Sequence, residues 1–440
     1  MIGTQIVFAG PMYTEVYLGN SDEIHLRLGG PSYRAACAFL ALKAPATLVA
    51  TLPRYMPEGV LDKFENSEVR LFQETVSRGK DNACVFCSGE HSVSASSLGL
   101  PSRLPVDCLR NIPLRGLHVH VSIPDWELTH QAFMDIRAMH PDSSLSYHLS
   151  SEIVSSTDAA SMLELAQLCS VIFMPAHIRQ LVSSELLERT MEGRIVVVLE
   201  EDASAVAYVD GITYIGQTPD GPPIVSAVGL GDVFAAGFLS TLTRTRQLAD
   251  AVFVGCELAR ASCADYGTET VLHLRHKIHA TPPANFARTP NTPLASNQMP
   301  PVQYELVKEA TGLFVVRDGQ LLVVRKMNER AFVPDVYYVP GGKLEPGETP
   351  EQCAVRELKE ETNLDARRLR PFGMTTYPNP KNPNELYRFY QYLIKDTKGL
   401  PQARDDIITW EWRPIESLRR SDVFELTWAQ LALARILEQL

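Results

Sequence analysis

Hydrophobic and polar positions fall into two regimes separated by a proline-rich gap. Residues 5–9 (QIVFA) are an apolar run ending at Gly10, and 24–28 predict another strand, entering Gly29-Gly30-Pro31. The stretch SYRAACAFLALK carries small and apolar residues on one side and predicts a helix. The strand ATLVATL, a helix over 55–66, the strand VRLF and strands near 83–87 and 91–95 follow. RGLHVHVSI reads as a strand and 126–139 as a helix. Strand 144–148, helix 157–168, strand VIFM, helix 177–188, strand RIVVVL and a hairpin about Asp210-Gly211 come next. Helices over about 231–245 and 247–264 close this half. The βα alternation predicts a doubly wound, mainly parallel sheet with helices on both faces.

The pattern then stops. Residues 281–301 hold Pro282, Pro283, Pro290, Pro293, Pro300 and Pro301 and few aliphatics, which predicts a partly extended linker. Beyond it, ATGLFVVRDGQLLVVRK predicts a hairpin turning at Asp318-Gly319, with strands at 385–394 and 407–413 and an apolar-striped helix from Leu426 to Leu440. The expected organisation is a first domain over 1–278, a linker over 279–301 and a second domain over 302–440.

Composition narrows the function classes. The formal charge of -11 argues against a general nucleic-acid or membrane-surface binder. No apolar run approaches the length of a membrane span, and MIGTQIVFAG lacks the basic start of a signal peptide. Eight cysteines without an even framework suit reduced thiols, so a cytoplasmic location is expected. Cys84-x-x-Cys87 lies on a strand-like run with no second pair at zinc spacing, and reads as core. His118-x-His120 puts two imidazoles on one strand face without a third ligand nearby, and reads as a core or pocket pair.

The densest chemistry lies in GKLEPGETPEQCAVRELKEETNL, residues 342–364. Thr349 can cap a helix, Pro350 suits its first position and Gln352 can close a capping box. Asn363 stands where the chain leaves that helix, a place that asks for the left-handed conformation. Val355, Leu358 and Thr362 are expected to pack inward, with Glu357, Glu360 and Glu361 on an opposite, exposed face. Carboxylates at that spacing repel, and a hard divalent cation such as Mg2+ or Mn2+ relieves the repulsion.

The stretch resembles the Nudix box, Gly-x5-Glu-x7-Arg-Glu-U-x-Glu-Glu-x-Gly-U, with Asn363 as its one departure. The resemblance implies an α/β/α sandwich and hydrolysis of a nucleoside diphosphate linked to another group, with ADP-ribose or a sugar nucleotide favoured and a nucleoside triphosphate as the alternative. It implies Glu357, Glu360 and Glu361 as metal-binding carboxylates, one of them doubling as base. The carbonyl of Gly341 or Gly342 completes the metal sphere, and Arg356 pairs with Glu348. Asp405 and Asp406, the latter six before Trp412, are candidates for an outlying acid. Tyr387, Tyr390 and Tyr392 are candidates for stacking on a base, and by the same resemblance Pro380, sixteen after Leu364, points to ADP-ribose.

In the first half, Gly229-Leu230-Gly231-Asp232 opens a helix, and such a start suits an anion. Residues 1–278 resemble the PfkB/ribokinase family of sugar and nucleoside kinases. The resemblance makes Asp232 the catalytic base, Gly229 and Gly231 the anion hole, and Gly29-Gly30 the first signature, with Glu15 at the sugar contact and ATP as donor. Several positions depart from the family. Ser226 replaces an Asp and Arg34 an Asn, and Pro175-Ala176-His177-Ile178-Arg179 replaces Asn-x-x-Glu. Leu199-Glu200-Glu201 offers no Gly at the nucleotide turn, and the segment between Glu15 and Gly29 is short for a sugar lid. Glu15, Gly29, Gly30, Arg34, Gly229 and Gly231 are therefore expected to bind a sugar or nucleoside, with transfer slow or absent. A ligand-sensing regulatory protein is the alternative from another class, and a bifunctional kinase-hydrolase of nucleoside or ribose metabolism is the third reading. The partners expected are small-molecule ligands, with a homodimer open.

Overall fold

The computed structural model describes residues 5–18, 24–53, 56, 59–75, 83–87, 93–96, 104–111, 116–123, 125–150, 158–176, 178, 189–209, 212–216, 224–265, 267–274, 287–290, 307–329, 331–379, 382–419 and 421–436. Of the helix expected over 177–188 only Ile178 is among them, and His177, Arg179, Pro380 and the turn Asp210-Gly211 lie outside. The chain divides into two compact units. One holds Met1–Thr14, Arg27–Ser77 and Pro101–Pro301, and the other holds Glu15–Leu26, Arg78–Leu100 and Val302–Leu440.

The first unit is built on a ten-stranded sheet. Its spatial order is Ala287–Pro290, Ile212–Gly216, Ala205–Val209, Ile195–Leu199, Val171–Pro175, Ser144–His148, Leu117–Val121, Gln5–Ala9, Ala46–Leu52 and Val69–Thr75. The run from Ile195–Leu199 to Val69–Thr75 is parallel, as the alternation predicts. Val209 pairs with Ile212 antiparallel, which forms the expected hairpin. Side-chain parity splits the strands between two cores. Ile6 and Phe8 join the cluster under helices Pro31–Leu42, Leu230–Thr245 and Leu248–Ser262, whereas Val7 and Ala9 join the cluster under Trp126–Met139 and Ala159–Gln167. Within 55–66 the described residues form turns and a short 3-10 segment, Asp62–Phe64, rather than the expected helix. Pro57 and Gly59 are poor residues for a helix interior.

The second unit is built on a nine-stranded sheet in the order Ile407–Pro414, Gln320–Lys326, Val307–Arg317, Asn382–Ile394, Arg370–Asn379, Val93–Ser96, Ala83–Cys87, Tyr13–Leu18 and Ile24–Gly29, holding residues 15–18 and 24–26 of the last two strands. Helix Pro350–Thr362 covers one face through Ala354 and Leu358 against Leu313, Val315 and Tyr392. Helix Glu425–Ile436 belongs to the other face, where Gln430 donates to the Phe372 carbonyl at 2.8 Å. Strands Tyr13–Leu18 and Arg370–Asn379 carry no clear alternation and were not expected from the sequence. Among the described residues no helix is long and apolar enough to cross a membrane.

Candidate functional site

The acidic helix begins and ends as its residues dictate. Thr349 Oγ1 accepts from the Gln352 N–H while the Gln352 side chain accepts from the Thr349 N–H, Pro350 leads the first turn, and Asn363 ends the helix at φ 59°. The inward face differs from expectation. Val355 is 44% exposed, whereas Cys353, Ala354, Glu357, Leu358 and Glu361 are buried. The 3.6-residue period places 354, 357, 358 and 361 on one stripe, so two of the acids lie against the sheet rather than in solvent. Glu360 alone of the three stays largely exposed.

Two glycines make this burial possible. A Cβ at Gly341 would strike the Thr311 carbonyl, and one at Gly342 would strike the Glu357 carboxylate. The Gly341 N–H donates to Glu361 Oε2 at 2.7 Å. The two carbonyls diverge. Gly341 O accepts from Lys326 Nζ at 3.0 Å, whereas Gly342 O accepts from the Thr311 N–H at 2.8 Å. Gly341, not Gly342, therefore turns its carbonyl toward the acids, because the strand backbone already engages the other.

Cations are seated among these carboxylates. Arg356 binds Glu348 with two hydrogen bonds of 2.8 Å and also reaches Glu357 at 2.8 Å and Glu360 at 3.0 Å. The Arg356 guanidinium holds the Glu348 carboxyl down at about 2. Lys326 Nζ lies 2.5 Å from Glu361 Oε1 and 3.6 Å from Asp406 Oδ1. Burial pulls the Lys326 ammonium down, but Glu361 and Asp406 overcome it and the net shift is upward. Burial pushes Glu361 up to about 7 against the opposing pull of Lys326, and burial likewise raises Glu357. The oxygens of Glu357, Glu361, Asp406 and the Gly341 carbonyl are the hard donors that Mg2+ or Mn2+ prefers. Asp406 Oδ1 is buried and accepts no hydrogen bond, which fits a place for a cation. Among the described residues no three such side chains close on a metal-sized site, with Lys326 and Arg356 in place.

The acids form part of the lining of a cavity of about 700 Å³. Its aromatic side holds Phe332, Tyr387, Phe389 and Phe424. Phe332 stacks on Phe424 with 5.8 Å between centroids and meets Tyr387 edge-on at 5.0 Å. Lys308 and Lys343 stand over the Tyr387 ring at 5.9 and 5.5 Å. Of the three tyrosines singled out from the sequence, only Tyr387 lines this cavity. Tyr390 donates to Glu309 and Tyr392 to Glu351, on the opposite face of the strand. The period of two that separates them also brings in Phe389 and Gln391, a signal that was available in the sequence. Phe332, Phe424 and Lys326 sit in loops or at a strand end, where pattern gave none.

In the first unit, Gly229 caps helix Leu230–Thr245 at φ 79° and Gly30 caps Pro31–Leu42 at φ 83°. Asp232 is buried with both carboxylate oxygens engaged: Ser122 Oγ donates to Oδ1 at 2.7 Å and Arg34 Nη1 to Oδ2 at 3.2 Å. A Cβ at Gly229 would collide with the Arg34 guanidinium, and one at Gly231 with the His148 imidazole. Arg34, Asp232, Gly229 and Gly231 are thus brought together, joined by Ser122 and His148, which the sequence reading missed. Both extend alternating polar positions on strands Leu117–Val121 and Ser144–His148. Glu15 lies in the second unit, buried and accepting from the Tyr17 hydroxyl at 2.8 Å. Glu200 is exposed, and Ala176 packs against the core. His118 and His120 are core residues bonded to Ser144 and Ser146, and burial holds both below the usual histidine range, His118 at about 3.

Two family models match separate segments of the chain. Residues 154–274 match the pfkB family carbohydrate kinase model and residues 307–435 match the NUDIX domain model. An 8-oxo-dGTP diphosphatase of Haemophilus influenzae is 28% identical over 101 residues, 23% of this chain and 71% of that protein. An NAD-capped RNA hydrolase of Pseudomonas aeruginosa is 35% identical over 116 residues, 26% of this chain but only 39% of its own length. The fructokinase of Xylella fastidiosa superposes with a TM-score of 0.51 at 12% identity, covering 62% of this chain and 97% of that one, a likeness of fold. The chain is a fusion of an N-terminal PfkB/ribokinase-like domain with a C-terminal NUDIX domain.

Proposed function

We propose that the C-terminal domain is a divalent-metal-dependent pyrophosphohydrolase. Its substrate is a nucleoside diphosphate linked to another group, with ADP-ribose or a sugar nucleotide first. The observation that carries this reading is one cavity lined both by the buried acids of the helix and by an aromatic cluster fringed with lysines. A base stacks on an aromatic face, and lysines receive phosphate. Glu357, Glu361, Asp406 and the Gly341 carbonyl would hold Mg2+ or Mn2+, with Glu360 at the exposed edge. A bound divalent cation neutralises phosphate oxygens and sharpens the attacking water. Arg356 fixes the loop through Glu348 and keeps Glu357 oriented. The relative named for a triphosphate substrate supports the second reading, cleavage of a nucleoside triphosphate. Incubating the full chain with Mg2+ and a panel of ADP-ribose, sugar nucleotides and nucleoside triphosphates tests both. AMP released from ADP-ribose supports the first reading, pyrophosphate released from triphosphates the second, and neither product removes the hydrolase assignment.

For the N-terminal domain we infer binding of a small polyhydroxylated ligand near Gly29, Gly30 and Asp232, with ATP-dependent transfer slow or absent. A base must be free to take a proton from the acceptor hydroxyl, and Asp232 is held by Arg34 and Ser122. Calorimetry of the full chain with sugars and nucleosides should find a ligand, and an ATPase assay with that ligand should show little turnover. Rapid phosphorylation lost in Asp232→Asn would establish a kinase instead.

A further inference from the structure

Lys326 has no role in the chemistry proposed above, yet it occupies that chemistry's centre. The pairing of strand Gln320–Lys326 with strand Ile407–Pro414 shifts between Arg325 and Lys326, where Lys326 pairs with Ile407 and Ile408 of the partner strand is passed over. Such a shift twists the ladder locally at the end that carries Lys326. A lysine at a strand end ordinarily runs its stem along the surface and keeps its ammonium in water. Here the side chain is only 14% exposed, and Nζ meets Glu361 Oε1 at 2.5 Å, the Gly341 carbonyl at 3.0 Å and Asp406 Oδ1 at 3.6 Å. Neighbouring backbone holds the arrangement, since the Met327 N–H donates to the Asp406 carbonyl at 2.9 Å and the Arg404 N–H to the Glu361 carbonyl at 3.1 Å.

We propose that the Lys326 ammonium is a resident stand-in for the divalent cation, holding the buried acids together in the metal-free protein and leaving them when metal enters. This rests on the metal-dependent reading of the cavity. The argument is one of space and sign. A Mg2+ ion binds oxygen at about 2.0–2.1 Å. The oxygens it would need from Glu361, Asp406 and Gly341 are those that face Nζ. Two cations on one set of oxygens repel at close range in a partly dry site. Ammonium and metal therefore exclude each other. The ammonium also explains how buried carboxylates persist without metal, because removing one partner of a buried pair leaves an uncompensated charge.

The test is Mn2+ binding by calorimetry and thermal unfolding with and without Mn2+, on the full chain, for the unaltered protein, Lys326→Met and Lys326→Arg. Methionine keeps most of the volume and removes the competitor. Lys326→Met is expected to melt at a lower temperature in chelator, to gain more from Mn2+ than the unaltered protein, and to bind Mn2+ about tenfold more tightly, since displacement no longer opposes entry. Lys326→Arg keeps a charge that grips carboxylates in two places and is expected to bind Mn2+ more weakly. Unaltered Mn2+ binding with the same or weaker affinity in Lys326→Met overturns the proposal while the metal reading stands. Should Lys326→Met fail to fold, equal or tighter binding in Lys326→Arg overturns it. An unaltered protein that binds no Mn2+ removes the metal reading and this proposal together.

Discussion

The two units each bury a carboxylate beside a glycine turn and seat a cation on it, yet the two arrangements differ in balance. In the first unit one acid, Asp232, meets one guanidinium and one hydroxyl, and the Arg34 and His148 side chains fill the room beside the glycines. In the second, Glu348, Glu357, Glu360, Glu361 and Asp406 share Lys326 and Arg356 beside a cavity of about 700 Å³. The excess of negative charge is what a divalent cation answers, and the open volume is what a substrate needs. A neutralised and filled site is stable as it stands. An over-acidic and open one is completed by what enters it. The same motif elements thus give a paired acid in one unit and an excess of acids beside a cavity in the other.

The largest effect that tests this contrast is on folding. Asp232→Asn removes the negative charge that Arg34 meets at 3.2 Å, and should destabilise the first unit by on the order of 3 kcal/mol. Hydrogen exchange of peptides from 31–42 and 230–245 in the full chain reads this, while hydrolysis by the second unit should not change. Unchanged protection together with loss of a phosphoryl-transfer activity would mean that Asp232 works as a base and that the contrast is drawn the wrong way round.

Next is Glu361→Gln. It should lower hydrolysis by about 10²–10³-fold, the scale seen when one preorganised charge partner is removed from a reacting site. Because Glu361 is buried and paired with Lys326, its melting temperature should fall as well, whereas Glu360→Gln, at the exposed edge, should leave folding alone. Hydrolysis at the unaltered rate in Glu361→Gln under saturating Mg2+ would remove the acid from the site.

Acid separates the units by a smaller margin. His118 has its pKa lowered by burial from 6.5 to about 3, and His120 is lowered with it. A folded-state pKa below the unfolded one contributes stability that is present above 6.5 and is lost as pH falls toward 3, because the unfolded chain then binds more protons. Glu348, lowered from 4.5 to about 2 by Arg356, contributes stability lost only as pH falls from 4.5 toward 2. Between pH 6.5 and 5, exchange of peptides around 117–121 should therefore accelerate before that of peptides around 345–356. The reverse order would show that the two histidines do not govern the acid response of the first unit.

The sequence was a better guide to framework than to partners. The parallel order of the first sheet, the hairpin at Val209 and Ile212, and both ends of the acidic helix followed from period and capping, which are local properties. The inward turn of Glu357 and Glu361 did not, because an acid on a helix stripe reads as solvent-facing until the Gly341-Gly342 backbone that accommodates it is seen. Arg34 on Asp232 and Lys326 on Glu361 join residues 198 and 35 positions apart, and no periodicity carries such a pairing. Tyr390 and Tyr392 were misassigned for a simpler reason, since alternate positions on one strand face opposite ways and only Tyr387, Phe389 and Gln391 share the cavity side.

The smallest effect concerns the one departure from the Nudix pattern. Asn363 takes φ 59° at the end of helix Pro350–Thr362, and its N–H donates to the Lys359 carbonyl at 3.0 Å. That is the left-handed closing turn for which glycine is usual, and asparagine is among the few other residues that tolerate it. Asn363→Gly removes the strain of a Cβ there but enlarges the freedom of the unfolded chain, so the two terms nearly cancel. The expected change in stability is below about 1 kcal/mol, with hydrolysis unaltered. Asn363→Val, with a branched side chain at the same φ, should destabilise the second unit measurably, since a β-branched residue is a true outlier in that region. Thermal unfolding of the three proteins decides it. A loss of hydrolysis in Asn363→Gly with unchanged melting would mean that the Asn363 side chain serves the cavity and that the departure is functional rather than conformational.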